Sequence, residues 1–137
     1  MLAVAQPEKV PYEPGLGEFM TATQLRHAKL WFAGKQNNWE LAAYEIDELN
    51  EGLKDAARLF PTFDGIPVAE MIRAMIDPRV EELEKAVQAK NSAQFTVAFD
   101  ELTNACNGCH AGANKPFIRI QRPMEPPVTN QNFAPEN

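Results

Sequence analysis

The chain's two cysteines and one of its two histidines stand together in the stretch CNGCH, as Cys106, Cys109 and His110. Positions i, i+3 and i+4 of a helix share one face, so a helical motif presents both thiols and the imidazole to the same side. Three chemistries use these groups: a disulfide, a metal site, and thioether attachment of a haem whose iron takes the imidazole as an axial ligand.

The rest of the sequence discriminates among these chemistries. A structural zinc site requires four ligands, and His27 is the only Cys or His outside the motif. A redox-active Cys-x-x-Cys pair normally sits at a helix N-terminus, where the helix dipole lowers the thiol pKa, whereas here the motif closes a helix. A plain disulfide or two core thiols stay open as further readings. Because Cys-x-x-Cys-His is the attachment signature of haem c, the sequence favours one covalent haem.

Four helices are predicted from the apolar periodicity. The first runs from about residue 16 to residue 33 and ends at Gly34 as its C-cap. The second begins after Asn38 as N-cap and stops before Pro61. Its apolar residues, spaced by four and three, predict the seam of a bundle helix. They are Ala42, Ile46, Leu49, Leu53, Ala56 and Phe60.

The third helix is predicted to begin with Pro67 at its first position and to reach about Lys90. A kink or a restart is expected at Asp77-Pro78, since proline cannot donate a backbone hydrogen bond. The fourth helix, capped by Ser92, carries the cysteine motif on its apolar stripe. The members of that stripe are Phe95, Phe99, Leu102, Cys106 and Cys109.

These helices predict an all-α fold, an antiparallel up-down-up-down four-helix bundle over residues 16–112. Residues 1–15 are interpreted as an N-terminal extension, and residues 113–137 as an irregular, proline-rich tail that packs on the bundle. A disordered tail is the alternative. The expected anchors of the tail are Phe117, Ile118 and Ile120.

The composition limits partners and location. A net charge of −6 argues against nucleic acid and favours a cationic partner, and no apolar run approaches the length of a membrane span. Ala3-Val4-Ala5 has the small-x-small form of a signal-peptidase site, so the N-terminus is read as the remnant of an export signal. A small-residue N-terminus without that role is the alternative.

A four-helix bundle with Cys-x-x-Cys-His near the end of its last helix resembles the class II c-type cytochromes, the cytochromes c prime and their low-spin relatives. The resemblance covers residues 16–112 in architecture, and its specific motif is residues 106–110. It implies thioethers at Cys106 and Cys109, His110 as the proximal iron ligand and a periplasmic location. The tail and the segment RHAKLWFAGKQNNW depart from the family pattern, which favours a separate subfamily.

The resemblance implies one of two functions, and the distal side of the haem decides between them. A filled sixth position indicates an electron carrier, whereas an open one indicates a gas-binding or sensing protein. The partners expected are redox proteins, with a homodimer also allowed. No serine–histidine–acid set, phosphate loop or paired carboxylate is evident, so an enzyme is not predicted.

The expected distal ligand is Met20, with His27 as the alternative, and both lie on one face of the first helix. If the first and last helices are antiparallel, Met20 falls level with about residue 107 and His27 with about residue 100. His27 then lies about 10 Å further from the motif, at 1.5 Å per residue. An open site and ligation by Met124 of the tail are the other readings.

Other residues receive simpler interpretations. Four aromatic residues are expected in the core, namely Trp31, Trp39, Phe95 and Phe99. Five cations are candidates to pair with the haem propionates, namely Arg26, Lys29, Lys115, Arg119 and Arg122. The glutamates at positions 45, 48 and 51 are interpreted as a solvated helix face.

Overall fold

The computed structural model describes residue 4 and residues 11–136 of the chain. Its helices are α1 (Leu16–Lys35), α2 (Trp39–Leu59), α3 (Val68–Met71), α4 (Asp77–Gln88) and α5 (Ser92–Gly112). A π-helical segment, Ile72–Ile76, joins α3 to α4 without a break, so these three pieces form the third long helix. The described residues contain no strand, and the predicted all-α class is confirmed. The small-x-small motif lies outside the described residues apart from Val4.

Helix ends follow local chemistry, with three corrections to the sequence prediction. Asn38 caps α2 as predicted, and its side chain accepts a hydrogen bond from the Leu41 N–H. The cap of α5 is Asn91 rather than Ser92, because the Asn91 side chain accepts from the Gln94 N–H. Pro67 is the N-cap of α3 rather than its first helical residue.

The third correction concerns Gly34, which lies inside α1 and is not its C-cap. A Cβ at this position would lie 2.1 Å from Cζ of Phe95, so only glycine allows α5 to approach so closely here. The helix instead ends beyond Gly34 at Gln36, followed by Asn37 in the left-handed region with φ of 57°.

The expected interruption at Asp77-Pro78 takes the form of the π-helical segment. Pro78 has no N–H, and its ring would collide with the carbonyl four residues earlier, that of Ala74. A wider π turn over Ile72–Ile76 accommodates both effects and lets the chain continue directly into α4.

The core is one apolar cluster that joins all the long helices. The predicted seam of α2 is buried except for Phe60, which is half-buried. On α5 the buried apolar residues are Phe95, Ala98, Phe99 and Leu102, and the two cysteines pack against the same cluster. Trp31 and Trp39 are partly buried against this cluster, in agreement with the predicted core role.

Residue pairs fix how neighbouring helices are aligned. Between α1 and α5, His27 meets Thr103 and Trp31 meets Phe99, a step of four residues forward on one helix and four back on the other.

No helix in the described part of the chain has the length and apolarity that crossing a bilayer demands.

The tail is attached to the helices through residues that the sequence did not predict as anchors. The Asn107 side chain exchanges two hydrogen bonds with the backbone of Ile120, at 2.7 and 2.9 Å. Arg122 pairs with Asp100 and lies over the Trp31 ring, 4.8 Å from its centroid. Phe133 is only 3% exposed and packs on Phe32.

Two of the expected tail anchors are exposed instead, Phe117 at 76% and Ile118 at 38%. The interpretation of these two residues as anchors was wrong. Asn38 Nδ2 donates to the carbonyls of Phe133 and Ala134, so the residue that caps α2 also holds the end of the tail.

The close approach at Gly34 generates a stability prediction. Gly34→Ala forces a methyl group into the Phe95 ring and is expected to lower the free energy of unfolding by about 1–3 kcal/mol, measured by urea denaturation. Gly17→Ala is the control on the same helix, because nothing lies within 4 Å of a Cβ there. It should stabilise the fold by roughly 0.5–1 kcal/mol through helix propensity alone. Equal gains from both substitutions would contradict the packing described.

Candidate functional site

Cys106, Cys109 and His110 occupy the last two turns of α5, as predicted. Both cysteines are partly buried, both pack against the core cluster, and no disulfide joins them. His110 is half-buried beside them. The three side chains therefore project from the inward-facing stripe that Phe95, Phe99 and Leu102 begin nearer the start of the helix.

The glycines in and after the motif are sites of close helix packing. A Cβ at Gly108 would lie 2.7 Å from Cε of Met75, and one at Gly112 would lie 2.9 Å from Cε of Met71. The two glycines, four residues apart, therefore form a shallow stripe on α5 against which these methionines pack. Met75 also brings its sulfur to 3.7 Å from Sγ of Cys109.

The thiols lie in surroundings that keep them protonated. Burial, together with the neighbouring Cys109, raises the pKa of Cys106 to about 12, and burial also raises the pKa of Cys109. A redox-active cysteine pair requires the opposite, a lowered pKa that supplies thiolate near neutral pH. The environment disfavours thiol–disulfide chemistry and suits uncharged sulfur.

His110 contains a polar atom without a partner. Its Nδ1 is fully buried and has no hydrogen bond within the part of the chain that the structure describes. Burial lowers the pKa of His110, and the backbone of Ile118 opposes that shift. The ring is therefore neutral at pH 7, as a nitrogen ligand to a metal must be. A buried nitrogen of this kind is costly unless the folded protein supplies a partner.

His27 is a buried core histidine, only 4% exposed. Its Nε2 lies 2.8 Å from Oγ1 of Thr103, whose own hydroxyl donates to the Phe99 carbonyl. Because the one hydroxyl proton is already committed, Nε2 is the donor to Thr103. The ring lies against that of Phe99, with centroids 4.4 Å apart. Burial lowers the pKa of His27 to about 4, so the imidazole is neutral at pH 7.

Met20 is half-buried and packs against the core cluster. The alignment of α1 with α5 gives its level relative to the motif. Met20 lies seven residues before His27, and His110 lies seven residues after Thr103 on the opposing helix. The observed alignment thus differs by about three residues from the predicted one, and it brings Met20 level with His110 rather than with residue 107.

The five candidate propionate partners have different surroundings. Arg26 lies at 3.4–3.5 Å from Glu45 and Glu48, and Arg122 is engaged by Asp100. Lys115 lies over the Phe63 ring and Lys29 is half-buried, whereas Arg119 is exposed. Met124, the tail alternative for the iron, is 86% exposed.

The position of Glu45 contradicts the predicted solvated face of glutamates. Glu45 is buried, at 1% exposure, and is not part of a solvated face with Glu48 and Glu51. Burial raises its pKa, while the nearby Arg26 guanidinium acts in the opposite direction. The sequence pattern of α2 did not indicate that Glu45 is buried, because its burial depends on the packing of α1, which brings Arg26 to it.

Among the described residues, no group of three or more His, Cys, Asp or Glu side chains is arranged to hold a metal ion. Neither a protein-family model, nor a curated protein, nor a solved structure matches the chain.

The bond between His27 and Thr103 can be tested by mutation. Thr103→Val leaves the His27 N–H buried without an acceptor and is expected to lower the free energy of unfolding by about 1–3 kcal/mol in urea denaturation. Thr96→Val is the matched control, since this exposed hydroxyl on the same helix also bonds a carbonyl four residues earlier. Similar losses in both variants would show that His27 does not depend on Thr103.

Proposed function

We propose that the protein is a monohaem c-type cytochrome of the class II kind and that it acts as a periplasmic electron carrier. One haem c would be held covalently through thioethers at Cys106 and Cys109, with His110 as the proximal ligand. The observation that carries the proposal is a Cys-x-x-Cys-His motif whose three side chains share the inward face of the last helix in an all-helical protein.

The surroundings of the motif suit this group better than the alternatives. Uncharged thiols at the edge of an apolar core match thioether formation, and their raised pKa values argue against a redox disulfide. The buried Nδ1 without a hydrogen-bond partner is in His110, the residue that the motif predicts as the iron ligand. When bound, the haem iron would supply one-electron exchange between its ferric and ferrous states.

The order and direction of the helices are also part of the proposal. We infer an up-down-up-down order of four long helices, supported by residue pairs that step in opposite directions. Met71 meets Gly112, Met75 meets Gly108 and Arg79 meets Glu101 along α5, as His27 and Trp31 do from α1. Such bundles build cofactor sites between facing helices. The tail, held at Asn107 and Phe133, would close the outside of this bundle.

Met20 is the distal ligand that this arrangement favours. It lies level with His110 by the alignment of α1 and α5. His27 is two helical turns away, and it would have to give up the bond to Thr103 and its stacking on Phe99. We therefore assign His27 to the core and Met20 to the iron.

Export follows from the proposed attachment chemistry. Thioether formation on this motif takes place in bacteria on the outer face of the cytoplasmic membrane, so the holoprotein belongs to the periplasm. The small-x-small motif beginning at Ala3 is consistent with that route.

Covalent attachment predicts how the pigment behaves when the protein is denatured. In protein produced with haem-attachment machinery, acid–acetone extraction should leave the haem on the polypeptide. The double variant Cys106→Ala/Cys109→Ala should release it or contain none. His110→Ala is the control, because it should keep the pigment bound while changing the iron spectrum. Release of pigment from the unaltered protein would overturn the proposal.

The distal assignment predicts a specific spectroscopic change. Met20→Leu keeps the side-chain volume but removes the sulfur, so it should convert a low-spin haem to a form that binds carbon monoxide readily. The control Met124→Leu, at an exposed site in the tail, should leave the spectrum unchanged. If His27→Gln rather than Met20→Leu abolishes the low-spin form, the ligand is His27. Rapid carbon monoxide binding by the unaltered protein would indicate an open site and a gas-binding function.

A further inference from the structure

A short surface follows the motif directly, and its large apolar residues are exposed. We call it the C-terminal platform and define it by Lys115, Phe117, Ile118 and Arg119. Phe117 is 76% exposed, Ile118 is 38% exposed and Arg119 is also exposed. A scattered apolar side chain on a surface is ordinary, but two adjacent large ones between two cations form a patch that needs an explanation.

Backbone and side-chain hydrogen bonds fix the platform at both ends. The Lys115 N–H donates to the His110 carbonyl at 2.8 Å, and the Ile118 N–H donates to the Lys115 carbonyl at 3.0 Å. Two residues later, Ile120 is clamped by Asn107. Phe117 is therefore exposed on a held turn, so presenting it to a partner costs little ordering entropy.

The platform also differs in charge from the rest of the molecule. Residues 102–124 contain no Asp or Glu but include Lys115, Arg119 and Arg122, in a chain whose net charge is −6. Arg122 is paired with Asp100, whereas Lys115 and Arg119 form no ion pair with any carboxylate of the described residues. Acidic residues concentrate elsewhere, with six between positions 40 and 55. The segment that carries the platform thus lacks carboxylates, whereas α2 is rich in them.

The platform lies against the candidate site. The Lys115 N–H donates to the His110 carbonyl, so the platform begins at the backbone of the motif itself. Any protein that docks on Phe117 and Ile118 therefore comes within a few residues of the imidazole. Short separation is what an electron carrier requires from its docking surface.

We propose that the C-terminal platform docks an acidic protein partner, one that presents an apolar centre rimmed by carboxylates. Phe117 and Ile118 supply the apolar contact, and Lys115 and Arg119 supply the rim charges that steer encounter. The identity of the partner as a redox protein rests on the proposed haem function, whereas the docking chemistry does not.

An anionic membrane is the competing occupant and fits less well. Lipid recognition by charge typically takes a cluster of about four to eight Lys or Arg residues, and the platform offers two unpaired cations among the described residues.

Surface plasmon resonance on two immobilised probes tests the proposal with the full-length protein. One probe is a gold-bound monolayer mixing carboxylate-terminated and methyl-terminated chains, which imitates an acidic protein face. The other is a supported bilayer of phosphatidylserine and phosphatidylcholine. The variants are Lys115→Glu/Arg119→Glu and Phe117→Ala. The matched controls at the far end of the bundle are Lys85→Glu/Lys90→Glu and Val97→Ala, all at exposed positions.

The unaltered protein should bind the monolayer at low salt, with affinity that falls as salt rises. The platform charge reversal should weaken binding roughly tenfold, since each exposed ion pair contributes a few-fold. Phe117→Ala should weaken it by about threefold or more, and the two controls by less than twofold.

Three results would overturn the proposal: no binding to the monolayer, equal losses in platform and control variants, or stronger binding to the bilayer that depends on Phe117. The last of these would assign the platform to a membrane. Because binding is measured whether or not the pigment is present, failure here is separable from failure of the haem assignment.

Discussion

The alignment of α1 against α5 is the constraint on which the site depends. It is set by His27 bonded to Thr103, by Trp31 packed on Phe99, and by Gly34, which lets the Phe95 ring approach α1. The buried His27 N–H has its acceptor, Thr103, at one level of α5. Sliding one helix by a turn would leave this N–H without an acceptor. The same contacts bring Met20 level with His110. His27 thus fixes the register from a level about two turns before His110.

The helices, and the position of the motif on the last of them, were predicted well because both depend on local signals. Asn38 as a cap, the seam of α2 and the inward stripe that ends in Cys106 and Cys109 follow from spacing alone. The interruption before Pro78 was expected, but its form was not, since whether a helix kinks or widens into a π turn depends on what packs around it. Gly34 was read as a terminator because a glycine near a helix end usually is one. Its role as a contact point becomes visible only once Phe95 is placed opposite it.

What the sequence could not predict depends on pairs of residues far apart in the chain. Glu45 is buried only because α1 lies over it and brings Arg26 near. The tail departs most from expectation: its large apolar residues at Phe117 and Ile118 face outward, and its attachment uses Asn107, Arg122 and Phe133. Asn107 lies inside the motif, between the two cysteines, so one turn of α5 both carries the thiols and clamps the tail. The exposed turn between His110 and Ile120 is consequently held by hydrogen bonds at both ends.

Mass spectrometry of the intact, denatured protein, followed by proteolysis, tests the proposed attachment of one haem to Cys106 and Cys109. We expect a mass above that of the polypeptide by one haem, with the whole increment on a peptide that contains residues 106–110. A protein of polypeptide mass, isolated from cells that attach haem to other proteins with the same motif, would contradict it.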